Sequence, residues 1–519
     1  MQENSIKELI INRKNLKAKL IIQGALVGIL TGLVIVLNRK GIIILSKVFN
    51  KLYEFGRRGL LETFIVIVIA IFIGLLVGKM VKKEEMISGS GIPQVKGILI
   101  NKISINWFRV LILKFIGGVI ALGAGLSLGR EGPSVQIGGT IGEGLYEKTK
   151  KKSSSQKEYL ITAGASAGLA AAFNSPLAGM IFALEELHRS FSPILLLPVM
   201  IATILADFVS KYFLGMEPSL NFALKNQIPL KHYWLLIILG IITGVLGVVF
   251  SKGILFSQYI YGKFKKLKIE YKIAIPFVIT AIIGLYIPKL LGGGHELILD
   301  ISNNNYSISY LIITYILKFT LLLVAFGSSA PGGIFLPLLL LGSILGDIVG
   351  VIGNSYLGIS GDLIINFIAL GMAGYFASVV KAPITGIVLI MEMTGSFNHL
   401  LSLGVVVFIS YITSDILKCE PIYDSLLDKV LIKKGVYKNN KKEKNLMEFV
   451  VEIDSFAEGN YINNIKWPED FLIVSVKRGE DEIIPRGKVK LNTGDYIVAL
   501  VAIENKAKLI EEIQKITLG

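Results

Sequence analysis

Gly129-Arg130-Glu131-Gly132-Pro133 lies inside a long apolar region. A carboxylate at membrane depth is expensive and marks function more often than accident. Here it stands among glycines, directly before Pro133 and a run from Ser134 to Tyr146 that reads as a helix. Proline suits the first helical turn, where its missing N–H would find no partner anyway. Glu131 is therefore expected at or just before a helix N-terminus. Free N–H groups and the helix dipole make that end an anion site. A carboxylate there can occupy the site as a tethered anion and leave it when protonated. That is the physics of a gate sensitive to anions and to protons.

Around this stretch the chain is apolar throughout. It has 519 residues, 53% of them hydrophobic, which few soluble proteins match. Fifty-four glycines suit close helix packing and interrupted helices in lipid. The fold class expected is an all-α polytopic membrane protein followed by a small soluble α+β domain. The net charge of +16 is concentrated in short segments between apolar runs. These read as cytoplasmic loops under the positive-inside rule, with contact to anionic lipid compatible, rather than as a nucleic-acid surface. A single cysteine, Cys419, forbids an intrachain disulfide. No cleavable signal peptide is read at the N-terminus, because the apolar run that follows the basic residues 1–19 is long enough to stay in the membrane.

Residues 1–19 carry five basic side chains, so the N-terminus is expected in the cytoplasm. Expected spans in the first half (about 20–215) are Ile21–Leu37, Thr63–Val77, Phe108–Leu128 and Pro193–Phe213, with shorter runs at Tyr159–Phe173 and Pro176–Leu184. Gly89-Ser90-Gly91-Ile92-Pro93 opens what reads as a half-helix, tolerable only inside protein or beside a cavity. Lys148 to Lys157 reads as a cytoplasmic loop. The second half (about 230–432) offers His232–Phe250, Ile273–Ile287, Ser309–Ala325, Leu363–Val380, Pro383–Met393 and Leu400–Ile416. It is broken at Gly292-Gly293-Gly294 and at Pro331-Gly332-Gly333-Ile334-Phe335-Leu336-Pro337, has a second basic loop from Lys263 to Lys272, and ends in a short helix from Glu420-Pro421-Ile422-Tyr423.

The halves echo each other. Gly129, Pro133 and Gly138 have the spacing of Gly333, Pro337 and Gly342, 204 positions later. Asn174–Gly179 resembles Lys381–Gly386, 207 positions later, which aligns Glu185 with Glu392. A repeat with broken helices in matching places points to a transporter and to its binding site. After a Lys/Asn-rich linker, 433–446, the period changes. Phe449–Ile453, Phe471–Lys477 and Tyr496–Ala502 read as strands and Lys506–Ile516 as an amphipathic helix, with a turn at Asn492–Asp495. Residues 447–519 thus form the soluble domain.

Together, Gly89–Pro93, Gly129–Pro133, Gly333–Pro337 and Tyr423 resemble the CLC chloride channels and chloride/proton antiporters, over about residues 20 to 430. The resemblance implies a homodimer with one pore per subunit, each subunit an inverted repeat whose helix N-termini converge on anion sites. Carried over, it makes the hydroxyls of Ser90 and Tyr423 and the backbone N–H groups of Ile334 and Phe335 chloride ligands. It makes Glu131 the external gate and Glu186 the internal proton-transfer residue, with Glu185 structural. Gly91, Ile92, Arg130 and Gly132 complete the motifs. Ser90 goes with chloride; proline there goes with nitrate and methionine with fluoride. Residues 440–519 resemble the C-terminal domain of RCK/TrkA-type regulators, notably at Ile484–Gly487 and Thr493–Tyr496; its expected role is regulation or dimerisation, with a small-molecule ligand as a further expectation. Lys96 departs from antiporter-type relatives, which often carry an acid there, and this puts an internal salt bridge at that place in doubt.

Plain structural roles compete with each assignment. Ser90 is also placed to be an N-cap serine, Tyr423 an interfacial tyrosine, Glu131 a partner of Arg130, and Glu185 an i,i+4 partner of Arg189. Lys114, Lys318, Glu392 and Asp415 read as polar residues pairing within the bundle. Glu185, Glu186 and His188 superficially resemble a metal site, but one histidine with two acids and no second histidine at a fitting helical spacing is weak evidence for zinc. His232, His295 and His399 show no ligand pattern. No metal or cofactor is expected, chloride and protons being the substrates. The expected function is chloride/proton antiport, with a passive voltage- or pH-gated chloride channel as the alternative. A membrane hydrolase would need a nucleophile–base pair or a His-Glu-x-x-His set, and the sequence has neither. A membrane-anchored sensor does not explain the density of motifs in the apolar part.

Overall fold

The computed structural model describes residues 2–149, 154–189, 193–220, 224, 226–436, 444–452, 455–468, 471–479, 481–502, 512–513 and 515–517. They form two compact units, Met1–Leu431 and Ile432–Gly519.

The first unit is helical. Its first half contains α1 (Gln2–Gly56), α2 (Leu60–Lys83), α3 (Ile92–Leu99), α4 (Trp107–Gly123), α5 (Glu131–Glu147), α6 (Ser154–Phe173), α7 (Pro176–Phe182) and α8 (Pro193–Leu214). The second repeats the series as α9 (Tyr233–Lys263), α10 (Ile269–Tyr286), α11 (His295–Asn303), α12 (Ile308–Gly327), α13 (Phe335–Leu357), α14 (Ile364–Val380), α15 (Pro383–Thr394) and α16 (Leu400–Ile416). A final helix, α17 (Ile422–Lys433), carries Tyr423. Among the described residues, eight helices are long and apolar enough to cross a membrane.

The repeat extends to packing. As α5 lies on α6, so α13 lies on α14, while α1 with α8 matches α9 with α16. Glycine sets the closeness of these crossings. A methyl group added at Gly138 would sit 2.0 Å from the Gly164 carbonyl oxygen, and one at Gly346 would sit 2.0 Å from that of Phe367. Backbones approach this closely in lipid because packing must replace the hydrophobic drive. The break at Gly292–Gly294 is the repeat mate of Gly89–Gly91. Gly89 and Gly91 have φ of +58° and +99°, Gly292 and Gly294 +72° and +107°. Only glycine adopts such backbone without strain.

Two buried lysines, also 204 positions apart, hold these breaks. Lys114 Nζ donates to the carbonyls of Ile87 and Gly89 at 2.8 and 2.7 Å, and Lys318 Nζ to those of Leu290 and Gly292 at 3.1 and 2.7 Å. They therefore bind carbonyls freed by the breaks rather than acidic side chains of the bundle. The aligned acids are reciprocal caps. Glu185 accepts from the N–H groups of Ile384 and Thr385 at the start of α15, at 3.0 and 2.7 Å. Glu392 accepts from Leu177 and Ala178 at the start of α7, at 3.1 and 2.8 Å. The i,i+4 pair of Glu185 with Arg189 does not form, because the helix N-terminus of the other half claims the carboxylate. Truncating Glu185 to Ala leaves two N–H groups without their acceptor and should cost about 1–3 kcal/mol. A lowered unfolding temperature of the purified protein checks this, with Glu392→Ala expected to match it.

The helices outrun the apolar segments that announce them. The first expected span ended at Leu37, yet α1 continues to Gly56 through Arg39 and Lys40. Arg39 does not end the helix because its head group is satisfied inside, donating to Ala171 O, Asn174 Oδ1 and Ser210 Oγ at 3.0 to 3.1 Å. Similarly, α6 begins at Ser154, inside the expected Lys148–Lys157 loop. The expected run Pro176–Leu184 is an α-helix only to Phe182 and then widens into a π-helical turn, Ala183–His188. Such turns are frequent at functional sites.

The second unit holds a four-stranded antiparallel sheet in the order β1-β4-β2-β3, from β1 (Lys444–Val450), β2 (Phe471–Arg478), β3 (Asp481–Ile483) and β4 (Tyr496–Ala502). β1 starts inside the expected linker because it pairs with β4 along its whole length, Lys444 opposite Ala502. Phe449, Phe471, Val476, Ile497, Ala499 and Ile513 share its core. Arg478 clamps Asp495 through two hydrogen bonds of 2.8 Å. Burial alone would raise the Asp495 carboxyl, but the Arg478 guanidinium and the Asn492 N–H hold it below the ordinary aspartate value. Most of the expected Lys506–Ile516 helix lies outside the described residues; 512–513 and 515–517 are helical.

Candidate functional site

Three glycine motifs from the two halves are tied together at one point. Gly129 and Gly333 exchange both backbone hydrogen bonds at 2.7 Å, and Gly332 N donates to Gly89 O at 3.0 Å. Neighbouring residues at this junction begin α3, α5 and α13. Each helix start has first-turn N–H groups without intrahelical acceptors, and all three dipoles place positive potential there.

The side chains at the junction are buried and largely unpartnered. Ser90 is 2% exposed and its hydroxyl has no hydrogen-bond partner among the described residues. It lies against Gly132, where an added methyl would meet Ser90 Oγ at 2.3 Å. Ser90 is not an N-cap serine: the cap position of α3 is Gly91. Tyr423 is fully buried, with an equally unpartnered hydroxyl, and is no interfacial tyrosine. A free hydroxyl in a dry site is costly unless a ligand completes it.

Glu131 is the first residue of α5 and is fully buried. Its carboxylate lies over Gly129, where an added methyl would meet Oε2 at 2.4 Å and the Leu336 nitrogen at 3.1 Å. The carboxylate thus lies near the start of α13, where Ile334 is the cap residue and Phe335 the first helical one, and neither of its oxygens has a hydrogen-bond partner among the described residues. Arg130 does not neutralise it through a hydrogen bond: Nε stands 3.9 Å from Oε1, and Nη2 reaches the Ala172 carbonyl at 3.4 Å instead. The Phe335 ring packs on Phe173, Phe182 and Phe376, with centroids 4.8 to 6.4 Å away, and fixes the start of α13. Pro133 and Pro337 follow at equivalent places in the two helices, and Ile92 and Pro93 open α3.

A cavity of about 580 Å³ is lined by Glu131's chain neighbour Arg130 together with, among others, Arg39, Lys289, His295 and the Gly292–Gly294 break. Arg39 escaped the reading of the sequence. An arginine twenty residues into an apolar helix was the available signal.

Glu186 lies on the π-helical turn and is 1% exposed. The structure corrects the expectation about Lys96. A salt bridge exists, with Lys96 as its cation: Nζ reaches Glu186 Oε1 at 2.7 Å and also binds Asp424 Oδ1. Asp424 pairs on its other side with Arg189. His188 meets Thr162 Oγ1 at 2.6 Å, and His295 meets the Ser219 carbonyl at 2.6 Å. Among the described residues no group of three metal-ligating side chains forms.

Helix starts, free hydroxyls and a buried carboxylate converge inside a bundle of apolar helices, an arrangement whose positive potential suits a small anion. The Voltage gated chloride channel model matches residues 69–415, and the TrkA-C domain model matches residues 446–514. The chain belongs to the voltage-gated chloride channel family and is a multi-pass membrane protein. It is 39% identical over 352 residues to the H(+)/Cl(-) exchange transporter ClcA of Vibrio campbellii, covering 66% of this chain and 75% of that one. It is 32% identical over 445 residues to ClcA of Salmonella arizonae, covering 84% and 93%. Among solved structures, a slow cyanobacterial Cl⁻/H⁺ antiporter superposes with a TM-score of 0.76 at 30% identity, covering 80% of this chain and 99% of that chain. A eukaryotic CLC transporter shares the fold, with a TM-score of 0.66 at 21% identity, covering 80% and 74%.

Proposed function

We propose that this protein exchanges chloride for protons across the membrane. The observation that carries the reading is the Glu131 carboxylate lying at the start of α13, beside two buried hydroxyls that lack partners. Chloride occupies the junction, held by Ser90, Tyr423 and the N–H groups of Ile334 and Phe335. Ionised Glu131 competes for the outer part of that site; protonated, it releases. Glu186 supplies protons from the cytoplasmic side. Exchange in the named relatives and the acid at Glu186 favour this over a passive channel. Both termini are assigned to the cytoplasm from the basic loops. The family resemblance implies two copies, each with its own pathway; the TrkA-C-like domain is assigned to regulation or dimerisation, with a small-molecule ligand as its effector.

The test is the reversal potential of the reconstituted protein under opposed chloride and proton gradients. Exchange displaces it from the chloride Nernst value in proportion to the pH gradient. A value that ignores pH makes the protein a passive channel. Ser90→Pro should move preference from chloride toward nitrate. Losing one hydrogen bond to an anion, about 1.5 kcal/mol, lowers chloride affinity roughly tenfold, which competitive flux of the two anions measures.

A further inference from the structure

The Lys96 bridge belongs to a four-charge network that antiport alone does not explain. Lys96 on α3 is 7% exposed at its side chain and contacts Glu186, 1% exposed, and Asp424, 29% exposed. Arg189, 53% exposed, closes the network on Asp424. Arg189 holds a left-handed backbone, φ +52°, which a non-glycine residue adopts at a cost and which ends the π-helical turn. Asp424 directly follows Tyr423, so the network borders the proposed chloride ligand. The other groups around Glu186 are accounted for. Glu185 is turned to α15, and His188 is engaged with Thr162 of α6. The segment Pro176–Phe182 of α7 carries no titratable side chain. On α17, Tyr423 is the chain neighbour of Asp424, and Lys429 further along is turned to the Leu255 carbonyl.

The charges are two positive and two negative, so the network is neutral while Glu186 is ionised. A proton arriving on Glu186 leaves Lys96 bound to Asp424 alone and the group with one net positive charge. That charge appears beside Tyr423, a proposed chloride ligand, because Asp424 is its chain neighbour. We propose that Lys96 is a positioning residue that converts proton arrival at Glu186 into attraction for chloride at the junction, so that protonation of Glu186 and chloride occupancy are linked while the two ions still cross in opposite directions. The inference rests on the antiport reading and adds to it a physical link between the two substrates.

Charge logic separates this role from a structural one. Lys96→Met and Asp424→Asn break the same ion pair, so a structural role moves both in the same direction. The network role moves them in opposite directions. Lys96→Met removes a positive charge and should raise the apparent KM for cytoplasmic chloride roughly fivefold, while Asp424→Asn removes a negative one and should lower it by a similar factor. Lys96→Arg keeps the charge and should restore the wild-type KM. The measurement is chloride-dependent flux of the full-length protein in oriented liposomes, with proton flux recorded alongside at two internal pH values. Opposite shifts with rescue by arginine support the proposal. Shifts of the same sign, or none, overturn it while wild-type exchange stands. Should Lys96→Met fail to reconstitute, the sign of the Asp424→Asn shift decides: a raised or unchanged KM overturns the proposal. Absent proton flux in the wild type would instead remove the antiport reading itself.

Discussion

Replacing Glu131 by Gln is expected to abolish proton movement, at least about a hundredfold and to background, while chloride flux continues and no longer responds to external pH. Glutamine has the shape of the protonated acid and cannot ionise, so it holds the released state permanently. The geometry makes this the largest effect available. The carboxylate lies over Gly129 against the start of α13, with Arg130 Nε 3.9 Å away, so no tight ion pair holds it elsewhere. An ionised acid placed at free N–H groups competes with chloride for the same positive potential. Each tenfold change in that competition corresponds to about 1.4 kcal/mol, within the range of one charge-assisted hydrogen bond. Paired recordings of chloride and proton flux in liposomes read both consequences. Surviving acid sensitivity in this variant removes Glu131 from the switch.

The second large effect is expected at Glu186. Glu186→Gln should stop proton transport to a similar extent while chloride continues to move. The side chain is almost fully buried on the π-helical turn and touches Lys96 at 2.7 Å. Its neutral replacement leaves the Lys96–Asp424–Arg189 remainder with one net positive charge. Chloride affinity from the cytoplasmic side should therefore stay high and insensitive to internal pH, unlike that of Glu131→Gln. Coupled proton flux that persists in Glu186→Gln assigns proton entry to another group.

How much of this was readable from residues alone depended on the kind of signal. The glycine and proline breaks were legible because their conformational demands are local: Gly89, Gly91, Gly129 and Gly333 mark helix starts whatever surrounds them. The repeat was legible because matching motifs kept nearly the same offset: 204 positions, which also pairs Lys114 with Lys318, and 207, which pairs Glu185 with Glu392. The partners were not legible. Lys114 and Lys318 bind carbonyls of backbone breaks, which no side-chain pattern announces. Glu185 and Glu392 reach across the repeat to helix ends more than 190 residues away. Lys96 looked like the loss of an acid, because its two partners are 90 and 328 residues away in sequence. Helix ends were misplaced wherever a charged side chain, such as Arg39, is satisfied inside rather than marking the edge of the bilayer.

The central claim is that one carboxylate and chloride exclude each other from a shared position. Binding linkage tests it without transport: if chloride expels an ionised side chain that then takes a proton, chloride binding must be accompanied by proton uptake. Titrating the purified protein with chloride by calorimetry, in buffers of different ionisation enthalpy, counts those protons. Clear uptake in the wild type that shrinks in Glu131→Gln is the predicted result; the same uptake in both, or none in the wild type, would contradict the account.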